Sequence, residues 1–327
     1  MCQNWLPVEA PYTRPMTATE ASSPVPLFVF GVARSGTSYT LHLFNAHPLV
    51  RLAYEGRIVR EGEYYYERIA DRDQPEGFHR LIGCFRHAEA DEKENRWLVE
   101  RMRDNEAELF EFHRDHRSYA ALVEHIHRFR DDLRCWGSKL LRLEALPDLQ
   151  RHWPNLRSVI LIRDPRAVYA SQEQLWGTRI RYSALYWTLH SIQTRAIASD
   201  PSRYLILRYE DLVLQPQDNL ERLFRFADAW DPAQVRAIAA SLPPRPSSLE
   251  KWKQQLSTDQ VRIIESLCFD EMRAWGYTPL HATEQRAMGM LARSFETIME
   301  NRSSLRWTPG YWRRKQILRR FLQTIRR

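Results

Sequence analysis

Pro26-Leu27-Phe28-Val29-Phe30-Gly31-Val32-Ala33-Arg34-Ser35-Gly36-Thr37-Ser38 is the stretch that decides the fold. Residues 26 to 30 form a short apolar run of β-formers that stops at Gly31, and helical character begins at Thr37 and continues to Ala46. A buried strand, a tight turn and a helix follow from that order. Two glycines five residues apart between strand and helix let backbone N–H groups converge on an anion at the positive helix end, and Ser35, Thr37 and Ser38 add hydroxyls. The nucleotide-triphosphatase loop GxxxxGK[ST] would carry a lysine where Thr37 stands, and here the loop cation is Arg34. An ordinary glycine turn is the competing reading of the same letters.

Further strands appear on either side of a charged middle. Arg157-Ser-Val-Ile-Leu-Ile-Arg163 is a second apolar run, closed by Asp164-Pro165, a cap followed by proline at the first helical position, with a helix through Ala170 to Leu175. Tyr204 to Leu207 is a third, ending in Arg208-Tyr209-Glu210-Asp211, and Pro216 opens a helix with Leu220, Leu223, Phe224 and Ala227 on one face. Strands alternating with helices imply an α/β fold whose central parallel sheet is flanked by helices on both sides. Between 56 and 132 the chain is rich in charged and aromatic residues with apolar positions at helical spacing, as in Tyr119, Leu122, Val123, Ile126 and Phe129, and reads as several helices. Residues 258 to 273 read as another amphipathic helix. The expected organisation is an irregular arm over 1–24, a domain over 25–278 with a helical insertion at 56–132, and a basic helical tail over 279–327.

Composition excludes several classes. With 327 residues, 43% hydrophobic and 27% charged, the chain is not disordered as a whole. Cys2, Cys84, Cys135 and Cys268 are far apart and form no CxxC pair, against a disulfide scaffold, zinc ribbon or redox dithiol. The net charge of +7 suggests nucleic acid until it is divided along the chain. Residues 301–327 hold nine Lys/Arg and no acid, so residues 1–300 carry 39 basic against 41 acidic groups. Basicity therefore concerns the tail, which weighs against nucleic acid as a partner of the body. The tail's apolar side and arginines suit contact with an anionic membrane surface or a partner subunit, against the plainer reading of a helix packed back on the body. No apolar run approaches the roughly 20 residues that span a bilayer, and the first 26 residues lack a signal-peptide stretch, so a cytoplasmic protein is expected. His113, His116, His125 and His127 lie among Arg, Glu and Asp and read as a solvated helix face, with no metal expected.

Taken together, three elements resemble the sulfotransferases that use 3′-phosphoadenosine 5′-phosphosulfate (PAPS). That family's first strand ends in a loop of the type PRSGTT, followed by a helix and a His-Pro pair; here stand Ala33-Arg34-Ser35-Gly36-Thr37-Ser38 and then His47-Pro48. The second element is RDPRxxxxS, present as Arg163-Asp164-Pro165-Arg166 with Ser171 eight residues after Arg163. The third is YEDL, present as Tyr209 to Leu212 with Pro216 behind it. They occur in the family's order over roughly 25 to 278, a spread that one short motif cannot match.

The resemblance implies the sulfotransferase fold and transfer of a sulfuryl group from PAPS to a hydroxyl, or in second place an amine, of a small molecule or glycan, without a metal. It implies that Arg34 with Ser35, Gly36, Thr37 and Ser38 holds the 5′-phosphosulfate, that Arg163 and Ser171 hold the 3′-phosphate, and that Lys251 adds a contact near the nucleotide. In the tyrosylprotein sulfotransferases and similar bacterial enzymes the base is a Glu about twenty residues beyond the loop Arg; Glu55 falls 21 residues after Arg34, and Arg57 follows in the place of another active-site Arg. The plain alternative for Glu55 is a carboxylate at a helix start. A base there needs a cation nearby to stay ionised. The family places a Lys just after a strand between the two cofactor motifs, where Lys139 stands, although the usual Pro two residues on is Leu141. No His follows Lys139 before His152, which favours Glu55 over a histidine base. The competing functions are an ATP-dependent kinase with a degenerate phosphate loop and a non-catalytic protein acting through its basic tail on membrane or nucleic acid.

Overall fold

In a computed structural model, which describes residues 24–281, five strands run parallel in one sheet: β1 (Val25–Gly31), β2 (Val50–Tyr54), β3 (Cys135–Leu140), β4 (Arg157–Ile162) and β5 (Tyr204–Arg208), in the order β2-β3-β1-β4-β5. β1 is central because it is apolar on both faces: Leu27 to Gly31 are all buried, paired through Val29↔Lys139 on one side and Val29↔Val159 on the other. Successive side chains of a strand point to opposite faces. Phe28 and Phe30 therefore join Trp136, Trp153 and Ile160 in the core under the helical insertion, while Leu27 and Val29 join Leu161, Leu207, Phe44 and Phe224 in the core on the other face.

Between β2 and β3 lie the helices Ile58–Arg68, Pro75–Glu89, Arg96–Asp104, Glu106–His116 and Tyr119–His127, the segment read from sequence as several helices. A third core joins the helices Pro165–Trp176, Ile180–Ile197 and Thr258–Ala274 through Val168, Trp187, Ile264 and Met272. Asp164 caps the first of these by accepting from the N–H of Arg166 at 2.9 Å, as the Asp-Pro pair predicts. Ser257 and Gln260 form a reciprocal capping box on the last.

Arg166 ties these helices together from inside. Its guanidinium donates to Asp164 Oδ2 at 2.7 Å and to Glu265 Oε1 at 2.7 Å and lies over the Trp252 ring at 4.2 Å. Glu265 in turn accepts the N–H groups of Leu280 and His281, at 2.9 and 2.7 Å. Arg166→Met is expected to cost about 3–5 kcal/mol, the usual effect of stranding buried carboxylates, and to lower the urea midpoint of unfolding; an unchanged midpoint would show the network to be dispensable. Apart from Pro24 and residues 279–281, the expected arm and basic tail lie outside the described residues. No helix among the described residues is long and apolar enough to cross a membrane.

Two expectations are corrected. His113 and His127 do not face solvent: both are fully buried, His113 3.1 Å from Asp73 and His127 bonded to the carbonyl of Val123, because their helices turn that side onto Tyr66, Phe78 and Trp136. Lys139 lies within β3 and not after it, one residue before the strand's end.

Candidate active site

At the carboxyl ends of the strands the polar residues collect, where an open α/β sheet places its ligands. The loop after β1 is built to turn sharply. Arg34 has φ +78° and Gly36 φ +97°, and a Cβ on Gly36 would stand 2.2 Å from Cδ2 of Tyr209. Gln172 braces the loop by donating to the carbonyl of Ala33 at 2.9 Å. The helix Thr37–Asn45 begins without a side-chain cap, so its first N–H groups stand ready for an anion. Thr37 is buried beside Gly31 and Ser38 is half-buried. Ser35 turns inward: its N–H and its hydroxyl both donate to the carbonyl of Val32, so it shapes the loop and offers little to a ligand.

Arg34 is exposed and its Nε donates to Ser171 Oγ at 2.9 Å, which leaves the Ser171 hydroxyl proton to donate elsewhere. Sequence reading placed these two at opposite phosphates; the structure brings them together. Arg163, 8% exposed, donates to the carbonyls of Arg34 at 2.8 Å and Ser248 at 2.7 Å, and its guanidinium lies 4.5 Å over the Tyr209 ring. Burial pushes the guanidinium below the usual arginine range, with Tyr209 and Glu210 working against that. Its buried Nε has no partner among the described residues, an unspent donor beside the loop. Glu210 of the YEDL element is structural: it accepts the N–H of Asp164 at 3.0 Å and the hydroxyl of Tyr277 at 2.7 Å, which fixes the turn that carries Arg163, and burial raises its carboxyl. Lys251 is exposed, three residues beyond Ser248, and no described residue bonds its side chain.

Glu55 and Lys139 meet on the other side of the loop. Lys139, 1% exposed, places Nζ 2.7 Å from Glu55 Oε1 and 3.8 Å from the centre of the Tyr54 ring. Tyr54 pairs with Lys139 in register, and the ladder runs one step further as the Glu55 N–H donates to the carbonyl of Lys139 at 2.8 Å. Glu55 is therefore not at a helix start: it follows β2 in a turn with φ +48°. The Gly56 N–H is held by Ser138 Oγ at 2.8 Å. Arg57 precedes the helix Ile58–Arg68 and pairs with Asp91 at 3.2 Å.

Two further carboxyls lie close by. Burial raises that of Glu92, and the charges of Glu55 and Glu94 add to the effect. Burial pushes Glu89 up to about 7 although N–H donors from Ile58, Asn95 and Arg57 pull it back. His47 stays apart from the site: it is buried at the opposite end of β2, where it accepts the N–H of Leu49 at 3.2 Å and stacks near Phe224, so the His-Pro pair serves the turn into that strand. Among the described residues no three of His, Cys, Asp or Glu gather as metal ligands would.

Sequence reasoning missed Tyr54, Ser138, Ser248, Gln172, Glu89 and Asn95 as parts of this site. Trp187 backs the site from within: its ring is buried and donates to the carbonyl of Arg163 at 2.8 Å.

Carbohydrate sulfotransferase 7 of Mus musculus is 37% identical over 207 aligned residues, covering 42% of this chain and 43% of that protein, so the chain spans less than half the length of this curated relative. Protein-tyrosine sulfotransferase 2 of Gallus gallus is 26% identical over 281 residues, covering 82% of this chain and 68% of that protein. Among solved structures, the sulfotransferase domain from the Synechococcus PCC 7002 olefin synthase aligns with 75% of this chain and 95% of its own at 17% identity, with a TM-score of 0.48. The sulfotransferase family model matches residues 26–232, which take in the Arg34 loop, Glu55, Lys139, Arg163 and YEDL alike, and the chain belongs to that family.

Proposed function

We propose that the protein transfers a sulfuryl group from PAPS to a hydroxyl of a glycan or small molecule, with Glu55 as the general base. The observation that carries this reading is the Lys139–Glu55 contact of 2.7 Å at strand ends that also carry the phosphate loop. The chain's own residues fit the nucleotide: a glycine loop opening on an uncapped helix, and a buried arginine with an unspent Nε beside it.

When bound, PAPS supplies an activated sulfur whose bond to the bridging phosphate oxygen breaks as a bond to the acceptor oxygen forms, releasing 3′-phosphoadenosine 5′-phosphate (PAP). Glu55 takes the proton that the acceptor hydroxyl loses. Lys139 and the first loop N–H groups present fixed positive charge where the leaving oxygen becomes negative, so little reorganisation accompanies the step; Arg34, exposed and held to Ser171 by one hydrogen bond, would turn from it to the 5′-phosphosulfate. Arg163, with the hydroxyl of Ser171, reads the 3′-phosphate, and Lys251 stands at the rim of that end. A glycan or other small acceptor is supported by the carbohydrate sulfotransferases among the relatives. The helical insertion covers the Glu55 end of the sheet and would shape the acceptor site.

Calorimetric titration tests the reading. PAP is expected to bind in preference to AMP and to ATP with magnesium, and Arg163→Ala to reduce the preference for PAP over AMP by about 10- to 100-fold, the worth of a hydrogen bond to a charged group. Preference for ATP would favour a kinase and overturn the assignment of Arg163.

A further inference from the structure

The turn that carries Glu55 is gripped from beneath by two side chains that the proposed chemistry does not use. Asn95, fully buried, offers its amide to the sheet's edge: Oδ1 accepts the Tyr54 N–H at 2.7 Å and Nδ2 donates to the Tyr54 carbonyl at 2.8 Å. This pairing imitates one rung of a neighbouring strand, and β2 is an edge strand that lacks one. Nδ2 also donates to Glu89 Oε2 at 2.6 Å. The other oxygen, Glu89 Oε1, accepts the N–H of Ile58 at 2.7 Å. The pair therefore holds Tyr54 just before Glu55 and Ile58 three residues after it, and Ser138 holds Gly56 between them. Within this grip Glu55 keeps φ +48°, a conformation that a side chain with a Cβ seldom adopts unless its surroundings over-determine it.

We infer that Glu89 and Asn95 are positioning residues, a buried clamp that keeps Glu55 in its left-handed turn with the carboxylate on Lys139. The inference rests on the reading of Glu55 as the base. Glu89 ends the helix Pro75–Glu89 and Asn95 ends the short turn Lys93–Asn95, so both belong to the insertion. The insertion would then hold the base in addition to shaping the acceptor side. Asn95 cannot flip its amide without losing both Tyr54 bonds. Its orientation in turn requires an acceptor, and not a donor, at Glu89 Oε2.

Glu89→Gln is the sharp test, because it keeps size and the acceptor for Ile58 but sets an N–H2 group against Asn95 Nδ2. This variant and Asn95→Ala are compared with Glu55→Gln in kcat, in KM for the acceptor and in affinity for PAP. The clamp variants are expected to lose kcat by about 100-fold, the scale of a misplaced catalytic group, with PAP affinity unchanged. Wild-type kcat in Glu89→Gln, with Glu55→Gln inactive, overturns the clamp and leaves the base standing. A loss of PAP affinity in step with kcat also overturns it, since that marks general loosening. Full activity in Glu55→Gln removes the base, and the clamp with it.

Discussion

Glu55→Gln is expected to lower kcat by about 10²- to 10⁴-fold, the range that a positioned general base contributes. Glutamine fills the same space and can still accept from Lys139 Nζ, which lies 2.7 Å from Oε1, so the buried ammonium keeps a partner and the turn keeps its shape. What is lost is the capacity to take the acceptor's proton. PAP affinity, read by calorimetry, is expected to stay within about twofold, because the substitution removes an interaction made only in the transition state. A variant with undiminished kcat would sink the assignment and move the search for a base to Glu92, whose carboxyl feels the charge of Glu55.

Gly36→Ala is expected to abolish tight nucleotide binding while leaving the sheet intact. At φ +97° the new Cβ meets Tyr209 at 2.2 Å from Cδ2 and 2.8 Å from Cε2. The ring cannot retreat freely, because Arg163 lies 4.5 Å over it and its hydroxyl is 3.3 Å from Ser248 Oγ. Either the loop or the Arg163 side of the site has to move, and each hydrogen bond to a charged phosphate lost in that way costs about 10- to 100-fold in affinity. Gly177→Ala serves as the control. Gly177 also has positive φ, +60°, but a Cβ there has nothing within 4 Å, so this variant carries the backbone strain without the collision. Equal PAP affinity in Gly36→Ala and wild type, with native far-UV circular dichroism in both, would show that the close approach of Tyr209 is not needed.

The two parts of the sheet differed in how plainly their sequence announced them. β1 and β4 are covered on both faces, so each is a continuous apolar run, and Tyr204 to Leu207 of β5 behaves similarly; all three were legible, as were the turns and caps that end them. β2 and β3 were not. Val50-Arg-Leu-Ala-Tyr is five residues interrupted by Arg51, whose charge leans on Trp97 at the sheet's edge. β3 is buried throughout, yet it reads Cys-Trp-Gly-Ser-Lys-Leu, because its last turns of backbone carry Ser138 and Lys139 for the site. Residues that serve chemistry disturb the hydrophobic pattern by which a strand is found. Within the candidate site, motif spacing singled out Arg34, Glu55, Lys139, Arg163 and Ser171, which the fold gathers at the carboxyl ends of the strands. Their supports were not: Asn95 and Glu89 touch Tyr54 and Ile58 across separations of 41 and 31 residues, and no local pattern reports a contact of that range.

Strand order has a consequence for how such a protein can diversify. Glu55 follows β2 and Arg163 follows β4, three strands apart in β2-β3-β1-β4, which at the usual spacing of about 4.8 Å between strands amounts to roughly 14 Å across the sheet. The hydrogen-bond ladder therefore acts as a ruler whose graduations are strands. Loops at either end can lengthen, shorten or be exchanged without altering the interval between Glu55, the proposed base, and Arg163, the proposed phosphate reader. Changes can accumulate in the segment joining β2 to β3, which on the proposed reading shapes the acceptor side, provided that its two gripping side chains are kept, while the interval set by the sheet is inherited unchanged.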